Sequence, residues 1–140
     1  MKKKKIAIIG MGNMGSAIAT GLINSKTISP KDIYVSMRKG VAQKKVTELG
    51  LKVVESNIVA VEKTDVVIVA VKPYHVENVL KEISPLLTEN KILISIVAGV
   101  GLEVLGAMIG KKIPVFRVMP NTAVAIQESL TCISSNGNCE

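Results

Sequence analysis

Four apolar residues, Ile6 to Ile9, run directly into Gly10-Met11-Gly12-Asn13-Met14-Gly15, and a small-residue segment of helical period follows with Ala17, Ile18, Gly21 and Leu22. The order is strand, G-x-G-x-x-G turn, helix, which sets a dinucleotide pyrophosphate on a helix N-terminus. Each glycine has a mechanical task. Gly10 permits the tight exit from the strand, Gly12 keeps side-chain bulk away from a phosphate, and Gly15 lets helix and strand pack closely. Free N–H groups in the first helical turn, together with the helix dipole, then favour a negatively charged group.

The rest of the chain repeats the alternation of strand and helix. Ser29 to Asp32 form a turn, and Ile33 to Ser36 read as a second strand. A helix from Gly40 to Leu49 stops at Gly50, a glycine suited to a C-cap. Val53-Val54 form a short strand, and Ser56-Asn57 cap a helix to about Lys63. Asp65 to Val71 is the clearest buried strand, with a helix from Tyr74 to Ile83 behind it. A strand over Lys91 to Ile96, a helix over Leu102 to Ile109 closed by Gly110, and a strand from Pro114 to Thr122 complete the main pattern. A last strand is expected at Ser129 to Ile133. This alternation predicts one domain over residues 1–140, a doubly wound, mostly parallel α/β sheet of Rossmann-like type.

Two further positions bear on a nucleotide. About 20 residues past the glycine turn, an NAD-selective domain carries Asp or Glu for the ribose 2′-hydroxyl. This chain has Ser36-Met37-Arg38-Lys39 instead. Ser36 can donate a hydrogen bond and Arg38 can pair with a 2′-phosphate, which favours NADP(H) over NAD(H). Strand ends bind ligands in such sheets, so Ala70, Val71 and Lys72 should border the cofactor. His75, the only histidine, has no visible carboxylate partner and reads as a surface residue.

Composition narrows the alternatives. The chain is 48% hydrophobic but only 2% aromatic, so Val, Ile, Leu and Ala must build the core, as suits strands buried on both faces. The net charge of +7 draws on Lys2 to Lys5 at one end. The remaining basic residues are scattered, and aromatics for base stacking are nearly absent, which argues against nucleic acid. Apolar runs such as Val66 to Val71 are too short to cross a bilayer, so no membrane partner is expected. Lys2 to Lys5 lack a convincing cleavage site downstream and read as a solvated strand entry. Cys132 and Cys139 have no metal-ligand partners and read as reduced thiols of a cytoplasmic protein.

Several segments together resemble one family. Ile8-Ile9-Gly10-Met11-Gly12-Asn13-Met14-Gly15, then Ala70-Val71-Lys72-Pro73, then Ser95 to Val100, then Arg117-Val118-Met119-Pro120-Asn121-Thr122 resemble, in order and spacing, the N-terminal half of pyrroline-5-carboxylate reductase. The resemblance covers essentially the whole chain. It implies an enzyme of proline biosynthesis that reduces the cyclic imine Δ1-pyrroline-5-carboxylate to L-proline with NAD(P)H. It further implies that Gly10 to Met14 hold the pyrophosphate, Ser36 and Arg38 the 2′-phosphate, and Asn57 the adenosine ribose. Ala70 to Pro73 would flank ribose and nicotinamide, while Ala98, Gly99, Met119, Pro120 and Asn121 would line the nicotinamide and substrate end. Lys72 and Arg117 are candidates for the substrate carboxylate, and either could equally be structural.

Two departures stand out. Ala123 replaces a proline usual in the family. The family also continues into a helical domain that builds a homo-oligomer and supplies a threonine, the proton donor and backbone amides for the substrate. The cofactor half alone is therefore expected to be inactive or nearly so, to expose an apolar surface and to self-associate weakly. No catalytic residue stands out in these 140 positions. Two other readings remain open: another NADP-dependent oxidoreductase of the β-hydroxyacid dehydrogenase or F420-NADP type, and a non-catalytic NADP-binding module.

Overall fold

The computed structural model describes residues 2–37, 40 and 43–138. Arg38, Lys39 and Cys139 therefore lie outside the described residues.

Short β-branched runs make the strands: β1 (Ile6–Ile9), β2 (Ile33–Ser36), β3 (Lys52–Val53), β4 (Val66–Val69), β5 (Ile92–Ser95), β6 (Val115–Met119) and β7 (Cys132–Ser135). The helices between them are α1 (Asn13–Asn24), α2 (Gln43–Leu49), α3 (Asn57–Glu62), α4 (Val76–Ile83) and α5 (Leu102–Ile109). The strands form one sheet in the order β3-β2-β1-β4-β5-β6-β7. The first six run parallel, and β7 is antiparallel to β6. The expected doubly wound, mostly parallel architecture is thus the observed one.

Period-2 alternation divides the core between the two faces of the sheet. Ala7, Ile9, Val67, Val69, Leu93 and Val115 pack with residues of α3, α4 and α5. Ile8, Val35 and Ile68 point the other way and pack with Ile18, Ala19 and Val46 of α1 and α2. The helix α4 shows how sequence sets this up. Val76, Val79, Leu80 and Ile83 recur at helical spacing and are buried, while Glu77 and Lys81 pair at 2.7 Å on the exposed side.

Element ends follow local chemistry. Ser56 accepts a hydrogen bond from the Val59 N–H at 3.2 Å and caps α3. Gly110 takes the left-handed conformation that closes α5. Apart from end shifts of a residue or two, such as β3 at Lys52–Val53 rather than Val53–Val54, three details differ from the sequence-based expectation. The segment from Tyr74 begins as a 3-10 turn (Pro73–His75), with the His75 N–H donating to the Lys72 carbonyl at 2.9 Å, and α4 starts at Val76. The strand expected to reach Thr122 stops at Met119, where Pro120 intervenes, and a 3-10 helix (Thr122–Ile126) follows. The last strand lies at Cys132–Ser135 rather than Ser129–Ile133. Its register is fixed by pairing, with Cys132 opposite Met119 and Ser135 opposite Phe116.

Near that last strand, Ile126, Leu130 and Ile133 are exposed by 69%, 80% and 66%. No helix among the described residues is long and apolar enough to cross a membrane.

Candidate functional site

In this sheet the chain leaves β1 for β2 on one side, and β4 lies on the other. Such a switch point opens a crevice beyond the carboxyl ends of the strands. A cavity of about 950 Å³ occupies that position. It begins where β1 ends: the Gly10 N–H donates to the Ser36 carbonyl at 3.1 Å, and the Ala70 N–H donates to the Ile9 carbonyl at 2.8 Å.

The three glycines of the turn are there for different reasons. Gly10 has φ +96°, and a Cβ on it would sit 2.7 Å from the Ala70 carbonyl oxygen. A Cβ on Gly15 would run into the Gly10 carbonyl oxygen. Both are required by the fold itself. Gly12 is different: a Cβ there would meet nothing within 4 Å, and Gly12 faces the cavity. It is also the N-cap of α1, where no side chain caps the helix and no acidic residue sits in the first turn. The orphan N–H groups of that turn are left for an external acceptor, and the helix dipole favours an anion.

The remaining lining residues come from five other strand ends. Ser36 ends β2 and Met37 follows it, and Glu55, Ser56 and Asn57 lead from β3 into α3. Ala70 to His75 follow β4 and lead to Asn78, Val79 and Glu82 on α4. Ile96 and Ala98 follow β5, and Met119 and Pro120 end β6. Ser36 and Asn57 are joined directly: the Ser36 Oγ donates to Asn57 Oδ1 at 2.6 Å, and Asn57 Nδ2 donates to Glu82 Oε2 at 2.9 Å. Lys72 is the only Lys or Arg lining the cavity among the described residues.

The structure therefore brings together Gly10, Met11, Gly12, Asn13, Met14, Ser36, Asn57, Ala70, Val71, Lys72, Pro73, Ala98, Met119 and Pro120. Gly15 stands behind the turn and shapes it. Gly99 and Asn121 are not lining residues. Asn121 instead uses its Oδ1 to accept from the Ala123 N–H at 3.0 Å, capping the 3-10 helix. Arg117 is also away from the lining, and its Nε is buried with no hydrogen-bond partner among the described residues. Arg38 falls outside the described residues.

Sequence reasoning missed Glu55, Asn78 and Glu82. The last two had a signal, since they sit one helical turn apart on α4 and so share a face. Only the fold shows that this face looks onto the cavity.

Fold and cavity together define a Rossmann-like α/β domain. The chain belongs to the family described as NADP oxidoreductase, coenzyme F420-dependent, which matches residues 5–99. Within the proteins of known activity it is similar to the pyrroline-5-carboxylate reductase of Staphylococcus saprophyticus, at 35% identity over 136 residues. The Escherichia coli pyrroline-5-carboxylate reductase is 36% identical over 137 residues. Each match covers 96% of this chain and 50% of the relative. The crystal structure of Plasmodium falciparum pyrroline carboxylate reductase with NADP bound matches with a TM-score of 0.89 at 31% identity, covering 100% of this chain and 51% of that one. The chain spans about half the length of the curated relatives it matches.

Proposed function

We infer that this chain is the NADP(H)-binding half of a pyrroline-5-carboxylate reductase, an oxidoreductase that reduces the cyclic imine Δ1-pyrroline-5-carboxylate to L-proline. The observation that carries the reading is the cradle at Gly12. The space a Cβ would take is open, and it adjoins an uncapped helix N-terminus at the switch point of a parallel sheet. A pyrophosphate fits this by size and by charge.

The other lining residues extend the fit across the cavity. From Ser36 at the end of β2 to Met119 at the end of β6 there are four strand steps, or about 19 Å at the usual spacing near 4.8 Å. That is room for an extended dinucleotide, with its adenosine end by Ser36 and Asn57 and its nicotinamide end by Ala98, Met119 and Pro120. Ala70 to Pro73 bridge the two.

When bound, the reduced nicotinamide would supply a hydride to the imine carbon, and the pyrroline nitrogen would take up a proton. The residues of this chain align and shield. Val71, Ile96 and Met119 give the cavity apolar walls toward the reacting end, which excludes water there. Lys72 adds one positive charge at the rim, which suits an anionic cofactor or a substrate carboxylate. On this reading, proton donation and oligomer formation fall to a partner region equivalent to the half of the relatives that this chain does not span. A cytoplasmic setting agrees with Cys132, an exposed free thiol.

Joining the chain to the C-terminal half of the Escherichia coli relative and following NADPH oxidation with pyrroline-5-carboxylate tests the reading. Imine-dependent oxidation is expected. A folded hybrid that binds NADPH yet leaves the imine untouched would overturn the substrate assignment.

A further inference from the structure

Three polar side chains from separate elements meet at the β2 end of the cavity. Ser36 ends β2, Asn57 opens α3 and Glu82 lies on α4, and all three line the cavity. The 2.6 Å bond from Ser36 Oγ to Asn57 Oδ1 and the 2.9 Å bond from Asn57 Nδ2 to Glu82 Oε2 form one continuous chain.

Chemistry fixes its direction. A carboxylate only accepts, so Asn57 must turn its amino group toward Glu82. Its carbonyl oxygen then faces Ser36 and takes the single hydroxyl proton. With that proton committed, Ser36 offers a ligand lone pairs alone. A ribose 2′-hydroxyl can donate into those lone pairs. A 2′-phosphate brings only acceptors and a charge of the same sign as Glu82.

We propose that Glu82 is a specificity-determining positioning residue: acting through Asn57, it holds the Ser36 hydroxyl as an acceptor and shifts the site toward NADH, against the pull of Arg38 toward NADPH. This rests on the reading of the cavity as a dinucleotide site. Removing the carboxylate frees the Asn57 amide to turn over, and Ser36 can then donate to a phosphate oxygen.

Calorimetric titration of the 140-residue chain with NADPH and with NADH tests this on the parent, Glu82→Gln, Ser36→Ala, the double variant and Glu55→Gln. Glu82→Gln should tighten NADPH about tenfold and change NADH by less than about twofold, the scale of one hydrogen bond to a charged group. The gain should vanish when Ser36 is also replaced. Glu55→Gln removes a carboxylate from the same cavity without touching the Asn57 chain. An equal gain from that variant, or a Glu82→Gln gain that survives in Ser36→Ala, would reduce the effect to plain charge and overturn the proposal. So would an unchanged NADPH-to-NADH ratio. A readout independent of affinity is the Asn57 side-chain amide in the NMR spectrum. Its resonance should move from the parent position in Glu82→Gln and stay in place in Glu55→Gln; an equal displacement in both variants, or none in Glu82→Gln, contradicts the relay. If the folded parent binds neither nucleotide, the dinucleotide reading of the cavity falls, and this proposal with it.

Discussion

Gly15 packs against the carbonyl oxygen of Gly10 so closely that no β-carbon fits between them. The contact is backbone on backbone, so no side chain can rotate away to relieve it. Gly15→Ala should therefore push α1 off β1 and destabilise the domain by about 2–4 kcal/mol, in the range of severe overpacking. Urea denaturation of the two proteins measures this directly. A midpoint unchanged from the parent would contradict the packing.

A second close approach lies further along the same helix. Gly21 faces the carbonyl oxygen of Val124, in the 3-10 helix that follows Pro120. In an isolated helix, Gly→Ala would gain about 1 kcal/mol. Here the clash should outweigh that gain, and Gly21→Ala should lower the melting temperature. A rise in melting temperature would mean that helix propensity wins and that the 122–126 segment yields freely.

Lys91 gives a stability prediction with a pH dependence. Its Nζ donates to the carbonyl of Val61 at 2.8 Å and to that of Thr64, tying down the C-terminal end of α3. Lys91→Met should cost about 1 kcal/mol, the net worth of such a bond. Burial holds the Lys91 ammonium below its ordinary value of 10.5, against the opposing pull of Asp65 and Glu62. Between the lowered folded value and 10.5 the unfolded chain binds more protons than the folded one, so this residue makes stability rise with pH in that window. The difference between parent and Lys91→Met, followed by denaturation from neutral to alkaline pH, should grow in the parent's favour. A constant difference contradicts this assignment.

Arg38 carries the charge match to the 2′-phosphate in the proposed function. Arg38→Ala should weaken NADPH by about tenfold and leave NADH nearly unchanged, as expected for one charge-assisted pair. Equal weakening of both nucleotides would move Arg38 away from the 2′ position.

Much of this architecture was legible in sequence because it rests on local chemistry. Ile6 to Ile9 before a glycine turn, Ser56 before an apolar helix, and the amphipathic period of α4 each state their structure within a few residues. The last strand lies later than its sequence suggests because residues 126–133 have no strong period, and only pairing with Phe116 to Met119 sets its register. The sequence suggests Asn121 as a lining residue, yet its oxygen is used locally as a cap. The Ser36–Asn57–Glu82 chain joins positions far apart in sequence, on β2, α3 and α4. Nothing but the fold brings them together.

The most direct measurement of the central claim is a calorimetric titration of NADPH into the parent chain and into Gly12→Ala. A Cβ at Gly12 meets no protein atom within 4 Å. Alanine there should leave the melting temperature nearly unchanged while weakening NADPH at least about tenfold, because it fills the place of a phosphate. Unchanged NADPH affinity in Gly12→Ala, or no NADPH binding by the folded parent, would contradict the account.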